Sequence, residues 1–270
     1  MYLAFEMDIN PFATALYAKL GANAGCASPL AITGVLAKNL SEPLGYGGFA
    51  LHLFLSTLLS GFVFTLIIYI AYKGFKVKAE NPMKWSDIPK FNRSQRITMA
   101  AIGIVVVCCI GFKLDTGLFA FAAATVLVLL GCVEEKKAIK GIPWGTLILI
   151  VGVGLLVNVI TELGGIALIS DFLTSFMNEH TAAPIMAASS GILSWVSSTT
   201  GVVMPTMYPI AAEIAQTLSG VDYVELIAAI TATSFAAAIS PLSTGGAIIM
   251  SSYSAAREVD NEQMNRMFRT

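Results

Sequence analysis

Two short runs hold the residue types that could do chemistry. "SWVSSTTGVVMP" (194–205) places four consecutive hydroxyls, Ser197, Ser198, Thr199 and Thr200, between apolar runs. "ISPLSTGG" (239–246) sets Ser240, Pro241, Ser243, Thr244 and Gly245 inside another. Hydroxyls in hydrocarbon cost free energy unless they are hydrogen-bonded or face something polar. Oxygen atoms suit a hard cation, and donors suit a carboxylate. That chemistry is binding, not bond-making. The chain has no HExxH, GxSxG or Walker loop, and "GVG" at 152–154 lacks a third glycine and a βαβ setting, so no catalytic residue and no enzyme activity are expected.

The elements that position these runs follow from composition. Of 270 residues, 56% are hydrophobic and 12% charged, with a mean hydropathy of +0.75. A soluble domain carries about 25% charged residues, so this is a polytopic membrane protein whose solvent partner is the lipid bilayer. Its net charge of −1 makes no case for nucleic acid. Cys26, Cys108, Cys109 and Cys132 lie in or beside apolar runs without CxxC spacing and read as packing residues. No basic n-region marks a cleavable signal peptide.

Windows of about 20 apolar residues fall at residues 49–72, 97–112, 116–133 and 144–160. Residues 160–180 mix acids with apolar positions and predict an interfacial amphipathic helix. Residues 182–196 and 201–215 are each too short for an ordinary span and predict a re-entrant hairpin (182–215) with the hydroxyls at its tip. A helix N-terminus near Gly201 would point its dipole at an anion. Residues 223–256 read as a helix broken at "PLSTGG". Lys/Arg clusters at 73–96, 134–140 and the C-terminal segment place these segments in the cytoplasm. Residues 84–96 predict a surface arm with Trp85 at the headgroups, and Glu162, Asp171, Glu213 and His52 read as helix-end or structural groups.

"ASPLAITGVL" (27–36) aligns with "ISPLSTGGAI" (239–248) at an offset of 212 residues, from Ser28 to Ser240. Proline with neighbouring small residues breaks a helix, and the orientation count runs the two broken helices in opposite directions. Matched broken helices of opposite direction mark an inverted-repeat transporter. The domains are then the end of a first repeat (1–73), a cytoplasmic connector (74–96) and a second repeat (97–270). At the same offset the partner of Ser197 would precede Met1, so the sequence is expected to be truncated.

"GANAGCASPLAITGVL", "WGTLILIVGVGLLVNVITELGGI", "LSWVSSTTGVVMPTMYPI" and "AAISPLSTGGAIIM" together resemble the MatC-type dicarboxylate carriers, of the divalent anion–sodium symporter group in the ion transporter superfamily. The resemblance implies an all-α fold of inverted repeats, each with a re-entrant hairpin and a broken helix. It also implies homodimeric assembly, elevator-type movement, and parts of the family pattern before Met1 and after Arg269. In symporters of that group the hairpin tip reads Ser-Asn-Thr. The matching residues here are Ser197, Ser198 and Thr199, so a hydroxyl replaces the amide.

The expected function is secondary transport of a small dicarboxylate such as malonate or a C4-dicarboxylate, with sodium as coupling ion and no other cofactor, in a bacterial inner membrane. Substrate contacts are expected from Ser197, Ser198, Thr199, Thr200, Ser243, Thr244 and Asn23. Sodium contacts are expected at Ser197, Ser198, Ser240, Pro241, Gly245, Gly21 and Ser28. A gluconate-type permease, the large subunit of a binding-protein-dependent system and a membrane scaffold are the alternatives. Helix packing through small hydroxyls competes with the binding role at every one of these positions.

Overall fold

Asn10 starts the first described helix. Its carboxamide oxygen accepts from the backbone N–H groups of Phe12 and Ala13, and Pro11 fills the first turn, where a missing N–H costs nothing. From there the computed structural model, which describes residues 10–76, 90–112, 114–142 and 144–256, is helical, with no strand among the described residues. Of the expected surface arm over 84–96, residues 84–89 with Trp85 lie outside the described residues, and 93–96 are the first turn of a helix that continues to Phe112 rather than part of an arm. The C-terminal arginines from Arg257 onward also lie outside the described residues.

The helices are α1 (Pro11–Cys26), α2 (Ile32–Ser41), α3 (Ala50–Ala71), α4 (Arg93–Phe112), α5 (Thr116–Leu129), α6 (Glu135–Gly141), α7 (Trp144–Glu162), α8 (Gly165–Thr174), α9 (Ala182–Trp195), α10 (Met204–Thr217), α11 (Tyr223–Ala237) and α12 (Thr244–Ala256). At about 1.5 Å per residue, the 22 residues of α3 and the 20 of α4 each match the thickness of a bilayer core. Leu147–Glu162 and Gly165–Thr174 together pass the same test, bent by 78°. Gly164 makes that bend at φ +76°, a conformation a β-carbon disfavours. The helix expected over residues 160–180 is shorter than that: 160–162 finish α7, and only Gly165–Thr174 form α8, which buries Ile166 and Ser170 and exposes Leu168 and Phe172. Apolar side chains face outward along α3, α5 and α7, with Phe62 65%, Leu129 80% and Val151 63% exposed. Outward apolar surface on this scale calls for lipid.

The chain packs as two compact units, residues 1–82 with 148–270, and residues 83–147. Within the smaller unit α4 packs on α5, and Asp115 caps α5 by accepting from the N–H of Leu118. Within the larger unit the hairpin arm α9 lies along α11, and α1 lies along α3. Small residues permit both crossings: a β-carbon on Gly191 would stand 3.1 Å from Thr233, and one on Gly61 would stand 2.6 Å from Ala24.

The two broken helices run antiparallel. Leu16 of α1 packs with Ile249 of α12, Lys19 lies against Gly245, Asn23 bonds to Phe235, and Ser41 at the end of α2 bonds to Tyr223 at the start of α11. Residue numbers rise along one element as they fall along the other. A division by repeat and a division by packing are therefore different cuts, because the broken helix of 223–256 packs on that of 11–41.

Candidate substrate site

Each broken helix ends its first half on a tight turn. In the first, Ser28 N–H donates to the Gly25 carbonyl and Ala31 N–H to the Ser28 carbonyl. In the second, Ser240 N–H donates to Ala237 and Ser243 N–H to Ser240, the same contacts 212 residues on. The following glycine fits for the same reason in both. A β-carbon on Gly34 would stand 2.0 Å from the Ser28 carbonyl oxygen, and one on Gly246 would stand 2.0 Å from that of Ser240. The Ser-Pro-Leu motif thus folds twice into one turn. Asn23 donates to the Phe235 carbonyl at 3.3 Å, and these two positions are themselves 212 apart. A residue meets its own repeat equivalent only at an axis relating the two.

The structure brings part of the expected constellation together here. Asn23 is buried between the breaks, and a small cavity beside it is lined by Leu20, Thr57, Ser60, Gly61 and Phe235. Ser243 is buried and works within the turn: its hydroxyl donates to the Ala238 and Ser240 carbonyls at 2.8 and 2.7 Å and accepts from Gly246 N–H at 3.1 Å. Gly245 is buried, Thr244 and Pro241 are exposed, and Ser28 and Ser240 are half-buried with hydroxyls against the Leu30 and Leu242 N–H groups. Gly21 stands apart, exposed within the regular turns of α1, where helix formation leaves no break.

At the hairpin tip the hydroxyls already have protein partners. Ser197 donates to the Leu193 carbonyl at 2.5 Å. Ser198 is the N-cap of the second arm, accepting from Gly201 N–H at 3.1 Å, so that arm begins at Thr199 as a π-helical turn (Thr199–Val203), two residues before the Gly201 start expected from sequence. A serine that can cap takes the helix start earlier than a glycine does. Thr199 is buried beside Ser194 at 3.1 Å and donates to the Ser234 carbonyl of α11 at 3.3 Å. Ser194 donates to that same carbonyl at 2.8 Å, and Ser190 reaches the Ile230 carbonyl. These bonds join α9 and the tip to α11. The hydroxyl of Thr200, half-buried, makes no hydrogen bond to the described residues. Leu149 of α7 lies against Gly201, where a β-carbon would come within 2.8 Å.

One residue of the site escaped the sequence reading. Lys19 donates to the Asn23 carboxamide oxygen at 2.9 Å, and its Cε and Nζ lie 2.6 and 3.0 Å from where a β-carbon on Gly245 would stand. The available signal was a lone lysine inside an apolar broken helix, a position where a charge is rare and functional. The lysine bears on the expected sodium contacts. Like charges repel at such range, so the ammonium beside Gly245 opposes a sodium ion at that residue.

A lipid-facing all-α chain whose polar groups gather where two antiparallel helices break has the build of a membrane transporter. The family model for citrate transporters (CitMHS) matches residues 2–233, and the chain belongs to that family. It is accordingly a transporter, not an enzyme. The matched residues include the first break and the hairpin and stop short of the second break. No individually curated protein and no solved structure matches the chain.

Proposed function

We propose that the chain is a secondary transporter of small di- and tricarboxylates, the citrate class, and that the anion binds where the hairpin tip and the two helix breaks converge. The observation that carries this is the pair of matching breaks, antiparallel and joined through Asn23 and Phe235. Broken helices expose backbone dipoles at mid-membrane depth, where nothing else satisfies them as well as a charged cargo and its coupling ion. The family description adds citrate to the dicarboxylates that the sequence suggested. Thr200 and Thr244 offer hydroxyls that are not consumed by packing, and Asn23 a buried amide. A coupling sodium ion fits the first break, at Ser28, better than the second, where an ammonium is already present. Homodimeric assembly and elevator movement of the broken-helix unit against the membrane belong to the same proposal, as does residence in a bacterial inner membrane.

The test is uptake of labelled citrate by the purified full-length protein in liposomes, with malonate, succinate and gluconate as competitors and imposed sodium or proton gradients. Saturable uptake, competed by the di- and tricarboxylates and driven by one gradient, is expected. Uptake of gluconate with indifference to every polycarboxylate would overturn the assignment.

A further inference from the structure

We propose that Lys19 is the fixed positive charge of the site, receiving one carboxylate of the carried anion at the second helix break; this rests on the anion-transport function proposed above. Three observations converge on it. First, the ammonium lies inside the larger unit at the crossing of α1 with the second broken helix, half-buried, with its Cε and Nζ over Gly245. Gly245 is the one residue type that leaves room for it there. Second, its hydrogen bond goes to a neutral amide, Asn23, and no carboxylate among the described residues pairs with it. A charge held in an apolar protein without a counter-charge is costly unless a partner arrives. Third, Gly245 belongs to the first turn of α12, whose N–H end carries partial positive charge although the Ser243 hydroxyl caps the Gly246 N–H. An ammonium and a helix N-terminus side by side repel each other, and an anion placed between them relieves both.

Asn23 completes the arrangement by positioning. Its oxygen takes the ammonium and its amide hydrogen goes to the Phe235 carbonyl, so the lysine is tethered to the last turn of α11. The repeat equivalent of Lys19 is Thr231, which bonds to Tyr208 and the Ile227 carbonyl and bears no charge. One break therefore carries a built-in cation and the other does not. The carried anion is predicted to bind asymmetrically, with one carboxylate at Lys19.

The experiment compares binding of succinate and of its monoamide, succinamate, to the reconstituted full-length protein. Wild type is expected to prefer the dianion. Lys19→Met should weaken succinate binding by about tenfold to a hundredfold, the effect of losing a charge-assisted hydrogen bond, and should abolish the preference over succinamate. Lys19→Arg should retain part of the preference. Asn23→Asp supplies an internal carboxylate to the same ammonium and should weaken succinate binding in a protein that keeps its lysine, which covers the case in which Lys19→Met does not fold. Lys38→Met removes a surface charge paired with Glu42 and should change neither ligand. Unaltered discrimination in Lys19→Met, or an equal loss for both ligands, overturns the assignment of Lys19. If wild type binds no di- or tricarboxylate, the proposed function fails first and this inference falls with it.

Discussion

The two helix breaks share their backbone and differ in their company. Ser28-Pro29-Leu30 and Ser240-Pro241-Leu242 fold the same turn, and each needs a glycine five residues after its proline, at Gly34 and Gly246. Around the second break Lys19 brings an ammonium and Ser243 a hydroxyl that bonds three ways. Around the first the matching positions are Thr231, committed to Tyr208, and Ala31, which has no hydroxyl. Duplicated local sequence sets duplicated backbone, while the chemistry at each copy depends on which distant helix packs beside it.

The largest effect should come from filling the shared turn. Gly34→Ala and Gly246→Ala each drive a β-carbon into a backbone carbonyl that cannot retreat, and each should cost about 3 kcal/mol or more. Thermal unfolding in detergent should show both variants strongly destabilised and alike. A mild effect at only one would break the equivalence of the two turns. Gly21→Ala, with open space around its α-carbon in a regular helix, should be neutral or stabilise slightly.

A smaller effect separates the hydroxyls at the hairpin tip. Thr199→Val removes a buried donor from the seam between the tip and α11 and should lower stability by about 1 kcal/mol. Thr200→Val should leave unfolding unchanged and weaken anion binding by about tenfold, since its hydroxyl is free to meet the cargo. Paired thermal-shift and binding measurements on the two variants decide it. The reverse pattern would make Thr199 the ligand and Thr200 the packing residue.

The smallest concerns the second half of the first broken helix. Tyr223 stacks on Tyr46 with centroids 3.9 Å apart, and its hydroxyl bonds to Ser41 at 2.8 Å, which pins the end of α2. Tyr223→Phe keeps the stack and loses the bond, for about 0.5–1 kcal/mol. Amide exchange should quicken at the end of α2 and not in α12. Equal quickening in both would mean that the second halves of the two broken helices are held as one piece.

Apolar run length and Pro/Gly punctuation determined most helices, both breaks and the hairpin, because a helix is made or interrupted by forces acting within a turn or two; the 78° bend at Gly164 was not among them. The SSTT run was equally legible as a tip, but its use was not. Only the packing of α9 along α11 decided that Thr199 would bond to Ser234, and only local capping geometry made Ser198 the start of the second arm. Gly21 lay too far into α1 to join the break it was grouped with, since the turn forms after Cys26. Lys19 and Gly245 are far apart in sequence and bear no periodic relation to each other. Their contact exists because two antiparallel broken helices cross there, and side-chain partners are set by which surfaces meet in three dimensions, which no local pattern encodes.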